Sequence, residues 1–138
     1  MRLLVVILLL VSGAAKADFV TATRTIRAQS IIGAGDVILK PGDIPGAATD
    51  PAKVIGKEAR VALYAGRPVL RSDLGPPAVI ERNQIVQIIF ERGGLSIIAD
   101  GRSLSRAGVG ERVRVMNMSS RNTVTGRVDA SGRVFVSE

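Results

Sequence analysis

Alternation of apolar and polar positions dominates the chain, most cleanly between Glu111 and Val128. Val113 and Val115 fall on one side of a segment whose other side is Arg112, Arg114 and Met116. Further on, Thr123 and Thr125 oppose Val124 and Val128. Period two with β-branched residues predicts two strands. Asn117, Met118, Ser119 and Ser120 between them are small and polar enough to turn the chain. The expected hairpin has one wet face and one dry face, and the rest of the chain is expected to cover the dry one.

The other segments read as short strands and corners. Thr21, Thr23 and Thr25 predict a strand over Phe19–Arg27, followed by a turn of small residues over Ser30–Asp36 and a strand over Val37–Leu39. Pro41–Gly46 is a loop. Asp50–Gly56 has the punctuation of a miniature helix: an acidic cap, Pro51 at the first position and Gly56 at the exit. Lys57–Leu63 predicts a strand with Ala59, Val61 and Leu63 on one side, and Arg71–Leu74 a short turn or helical piece. Gly75-Pro76-Pro77 is the expected boundary between two lobes, 18–75 and 76–138, because paired prolines lack donors and hold the backbone extended.

Beyond it, Ile85–Phe90 reads as a strand buried on both faces, with the alternative of an exposed sheet edge. Glu91–Gly94 turns the chain back onto Leu95–Ala99, Asp100-Gly101 is expected to turn again, and Ser103–Gly110 is irregular. Asp129–Gly132 makes the last hairpin turn and Arg133–Val136 closes the sheet. Turn signals every eight to twelve residues indicate a small barrel or sandwich. Ala34-Gly35, Ala65-Gly66 and Ala107-Gly108 echo one another as corners where glycine reaches positive φ.

Composition narrows the function. The 138 residues contain neither Cys nor His, which excludes disulfides and thiolate metal sites and removes the commonest general base. Arg2, the apolar run Leu3–Val11 and the small-x-small step Ala15-Lys16-Ala17 read as a secretory leader over residues 1–17, cut after Ala17. The run is too short for the roughly 18–20 apolar residues of a spanning helix, so no membrane anchor is expected after cleavage. Removing Arg2 and Lys16 with the leader lowers the net charge from +7 to +5. An exported chain with no basic run and few aromatics is not expected to bind nucleic acid. Its core must be aliphatic.

Each candidate site has a plain structural reading beside the functional one. Gly108-Val109-Gly110 is either an anion cradle or a strand-entry corner. Asp100 and Glu111 are the carboxylates nearest to turns. Asn117 and Ser120 are expected to satisfy backbone groups at their corner. Arg112, Arg114, Arg121, Arg127 and Arg133 are either a solvated face or a docking surface for an acidic partner.

The order of these corners resembles a known module. Ile32-Gly33-Ala34-Gly35-Asp36, Val54-Ile55-Gly56-Lys57 and Ala65-Gly66-Arg67-Pro68-Val69 resemble the SAF, or β-clip, domain. Gly101-Arg102-Ser103-Leu104, Gly108–Glu111, Val113–Asn117, Ser120, Gly126 and Val128 resemble the C-terminal part of the flagellar P-ring formation chaperones. The resemblance covers roughly Thr25–Val136 and looks like a short form, lacking the extra N-terminal domain of longer members. It implies a mainly β protein, with a SAF/β-clip lobe followed by a small antiparallel barrel or sandwich. It further implies a non-enzymatic periplasmic assembly factor that needs no cofactor and binds the P-ring subunit, with weak self-association possible. Arg112, Arg114, Asn117, Ser120, Arg121 and Arg127 are the expected contact residues. The alternative function is a carbohydrate- or wall-binding clip; a hydrolase is disfavoured by the missing His and Cys.

Overall fold

A computed structural model describes residues 17–137, so the leader, apart from Ala17, lies outside the described residues. Strand β1 (Asp18–Ala22) pairs antiparallel with β2 (Val37–Pro41), Asp18 opposite Pro41 and Ala22 opposite Val37. Otherwise the N-terminal core is tied mainly by single backbone links. Val20 N–H donates to Ala48 O (2.7 Å), Ala48 N–H to Val69 O (2.8 Å) and Val69 N–H to Val20 O (2.9 Å). This closed ring joins three passes of chain whose side chains are all buried, so each satisfies the next where water cannot reach. Ile26 and Leu63 exchange a further pair of bonds at 2.8 and 2.9 Å.

The punctuated segment forms a 3-10 turn over Pro51–Lys53. Asp50 Oδ1 accepts the Ala52 N–H at 2.9 Å, and Gly56 leaves at φ +84°. A second such turn, Arg71–Asp73, precedes β4 (Leu74–Gly75), which pairs with β3 (Glu58–Ala59).

After β5 (Ala78–Ile80), which pairs with β8 (Ala107–Gly108), five strands close into a barrel. They are β6 (Ile85–Arg92), β7 (Leu95–Ser103), β9 (Arg112–Asn117), β10 (Thr123–Val128) and β11 (Val134–Val136), in the order β10-β11-β6-β7-β9. All the barrel pairings are antiparallel except β11 with β6, which run parallel. The fold is therefore mainly β, a clip-like lobe followed by a small barrel. The barrel is narrow: a Cβ on Gly101 would collide with Val115 Cγ1 and Ile88 Cδ1, and one on Gly126 would lie 2.5 Å from Val134 Cγ1.

Several expectations change. The first strand stops at Ala22, because Thr23 turns away to bond Asp36 O and Gly35 O, and Thr23 and Thr25 are exposed while Thr21 is buried. Of Lys57–Leu63 only Glu58–Ala59 is strand, and Val61 is exposed. Asp100-Gly101 is no turn: β7 runs through it to Ser103, glycine being what the crowded interior admits. Strand β6 is not buried on both faces along its length, since Ile85 is 51% exposed. Among the three echoed glycines only Gly66 has positive φ, at +79°. Nor does the whole chain cover the β9–β10 hairpin. Val20, Ile26, Ile32, Val54, Leu63 and Val69 belong to one buried cluster, while Ile80, Val86, Ile88, Val113, Val115 and Val134 belong to another.

Polar side chains join the two. Arg106 Nη2 donates to both oxygens of Glu58 at 3.0 Å, and its Nη1 donates to both oxygens of Glu81 at 2.7 Å. Glu58 Oε2 also accepts the Ala78 N–H at 3.0 Å. Arg60 pairs with Glu111, whose other oxygen accepts the Gly108 N–H at 2.8 Å.

Candidate binding surface

Directly opposed residues on neighbouring strands share a face. The register therefore aligns side chains from all five barrel strands in one row across the outer face, in which Arg112, Arg127 and Ile98 are exposed, Phe135 is half-buried and Ile89 is buried. Arg112 of β9 lies opposite Arg127 of β10, Arg127 opposite Phe135 of β11, Phe135 opposite Ile89 of β6, and Ile89 opposite Ile98 of β7. One end is cationic and the other apolar. Arg133 adds to the cationic end, its guanidinium 5.4 Å from the Phe135 ring centroid. Asp129 holds it there, accepting Arg133 Nε at 2.9 Å. Burial pushes the Asp129 carboxyl up, but hydrogen bonds from the Arg133 backbone, the Ser131 hydroxyl and the Arg133 side chain outweigh it and bring it to about 2.

The apolar end carries an open sheet edge. Strand β7 pairs with β6 over Leu95–Arg102, but with β9 only over Gly101–Ser103. On the far side, Leu95–Ala99 has no strand beside it among the described residues. At ~3.4 Å per residue this edge is about 17 Å long. Gly93 and Gly94, at φ +53° and +82°, supply the tight turn that lets the hairpin project. Its side chains stay in water: Leu95 is 56%, Ile97 49% and Ile98 63% exposed. On the opposite face from Ile98, Ile97 stands across from Phe90, and Phe90 across from Val136. The projecting hairpin thus shows apolar side chains on both faces, with Glu91 opposite Ser96 and Arg92 opposite Leu95 at its very tip, and is unpaired along one edge.

Of the residues singled out in the sequence, Arg112, Arg114 and Arg127 do share the outer face of β9 and β10, with Arg114 opposite Thr125. Arg127 Nη1 donates to Gly110 O at 2.6 Å, while Arg112 and Arg114 have no ion pair among the described residues. Asn117, the last residue of β9, and Ser120 and Arg121 beyond it stand apart from the row. Asn117 Oδ1 accepts the Ser119 and Ser120 N–H groups at 2.8 and 3.1 Å, and Arg121 sits at φ +62°. The Gly108 and Gly110 amides are committed to Glu111 Oε2 and Val128 O, which leaves no anion cradle there. Phe135 and Ile98 went unmarked as site residues in the sequence, whereas Ile89 lay in the strand expected to be buried or to form an open edge, and it is buried; only the register brings the three into line. Among the described residues no group of acidic side chains is arranged to hold a metal.

The fold is that of a mainly β protein, a clip-like lobe joined by ion pairs to a closed barrel with an open edge on its surface. Comparison with known proteins specifies the class. Residues 17–136 match the family described as chaperone for flagella basal body P-ring formation, and this chain belongs to that family. It is a family of chaperones and not of enzymes. The chain is 36% identical over 84 residues to the flagellar protein FlgA of Rhizobium meliloti, covering 61% of this chain and 50% of that one. It is 27% identical over 122 residues to the flagella basal body P-ring formation protein FlgA of Yersinia enterocolitica, covering 86% and 54%. The fold matches the crystal structure of Salmonella FlgA in open form with a TM-score of 0.69 at 24% identity, over 86% of this chain and 59% of that one. The chain spans about half the length of the curated relatives it matches.

Proposed function

We propose that the chain is a periplasmic assembly factor that holds the P-ring subunit and assists its polymerisation around the flagellar rod. The observation that carries this reading is the open β7 edge beside the row from Arg112 to Ile98. A strand of the subunit adds to the edge through main-chain bonds, and its alternate side chains cover Ile97 and Ile98. The arginines at the far end of the row steer an acidic surface into place. Residues 18–75 act as the supporting lobe and 76–138 as the binding lobe. Family membership and the expected leader both support the assignment, since a P-ring chaperone must work outside the inner membrane.

The test mixes purified protein with P-ring subunits and follows both complex formation and ring assembly. A complex that sediments together and changes the yield or rate of rings is expected. Unchanged assembly with no detectable complex contradicts the proposal.

A further inference from the structure

The N-terminal core carries a hollow that shares no residue with the barrel surface. Lys53, Lys57 and Arg71 line a cavity of about 300 Å³. Its apolar wall is the half-buried Leu74, with the buried Ala48 and Val54 behind it. None of the three cations has an ion-pair partner among the described residues. Like charges gathered around a concavity repel one another and raise the positive potential inside it. The backbone fixes where each of these exposed side chains starts: Lys53 N–H donates to Asp50 O at 3.1 Å, Lys57 N–H to Val54 O at 3.1 Å, and Arg71 N–H to Gly46 O at 2.9 Å. Asp50 also lines the cavity. One of its carboxylate oxygens caps the turn through the Ala52 N–H, and the other has no partner among the described residues.

Three cations, one free carboxylate oxygen and an apolar wall complement a single chemistry. The cations take a carboxylate, with Arg71 able to grip both oxygens. The Asp50 oxygen accepts an N–H, and the wall covers an apolar side chain. A phosphate would meet Asp50 with the wrong sign and leave the wall bare. The volume is at the lower end of small-ligand sites, which suits one residue and not an extended chain. We propose that this hollow binds the C-terminal residue of a polypeptide: an α-carboxylate beside an amide N–H and an apolar side chain.

The experiment titrates the isotope-labelled protein with Ala-Ala-Leu, with its C-terminal amide, with inorganic phosphate, and with the same three residues fused to the end of an unrelated folded protein. The free acid is expected to shift the amides of residues 48–57 and 70–74, while the peptide amide and phosphate leave them unmoved. Binding by the fusion as well marks a protein terminus as the source; binding by the tripeptide alone marks a free peptide. K53Q and R71Q are each expected to weaken binding roughly tenfold, with the barrel amides unchanged as proof of folding. No shift with the free acid, equal shifts with the peptide amide or phosphate, or undiminished affinity in both folded variants overturns the assignment.

Discussion

The Arg106–Glu58 pair gives the account an energetic test. The two side chains are 27% and 12% exposed, between a solvent-exposed pair and a buried one. Exposed pairs contribute about 0.2–1 kcal/mol, whereas breaking a buried pair costs about 3–5 kcal/mol because the survivor is left uncompensated. Removing Arg106 leaves Glu58 with the Ala78 N–H as its remaining hydrogen-bond donor. R106M should therefore cost about 2–3 kcal/mol. E58Q, which keeps a hydrogen-bonding oxygen, should cost about 1–2 kcal/mol, and the double variant should show a coupling of about 1 kcal/mol. Glu81, the other partner of Arg106, is 59% exposed, so E81A should cost under about 0.5 kcal/mol. Urea unfolding followed by circular dichroism reads all four. With a slope near 1.5 kcal/mol/M, R106M should lower the midpoint by about 1.5 M. A shift within error of zero, or a coupling near zero, would show that this clasp does not join the two cores.

Three further outcomes follow from the same geometry. G101V should destabilise the protein by about 3 kcal/mol, since the barrel has no room for the side chain, whereas G35A, where a Cβ meets nothing within 4 Å, should stay within about 0.5 kcal/mol of the parent in the same urea assay. The Asp129 carboxyl has a folded pKa of about 2 against an ordinary 3.8; its contribution is present in full above the higher value and lost as pH falls through the lower. Acid titration of stability should accordingly show a loss below about pH 4 that D129N lacks. R112E combined with R114E should slow association with the P-ring subunit and flatten its salt dependence in stopped-flow measurements, leaving the unfolding midpoint nearly unchanged.

The sequence disclosed the elements whose local pattern agrees with their environment. The β9–β10 hairpin was legible because Val113 and Val115 face the core while Arg112 and Arg114 face water. The Asp50–Gly56 turn was legible because its cap, proline and glycine act within one turn of chain. The length of β7 was not, since Asp100-Gly101 has turn chemistry and only the nearness of Val115 and Ile88 explains a glycine in mid-strand. Much of the clip was hidden for another reason. Ile26 with Leu63, and Val20 with Ala48 and Val69, are single long-range links that impose no periodicity. The candidate surface was half visible. Alternation put Arg112, Arg114 and Arg127 on a wet face, but Phe135 and Ile98 fall into line with Arg112 and Arg127 only because β11 inserts parallel beside β6. Asn117, at the end of β9, does satisfy backbone groups at its corner, those of Ser119 and Ser120.

Amide hydrogen exchange with and without the P-ring subunit reads the β7 edge itself. Strand addition should protect alternate amides of Leu95–Ala99, those pointing away from β6, and I98D should abolish that protection while the free protein keeps its exchange pattern elsewhere. Unchanged exchange along β7 in a complex that demonstrably forms would contradict the account.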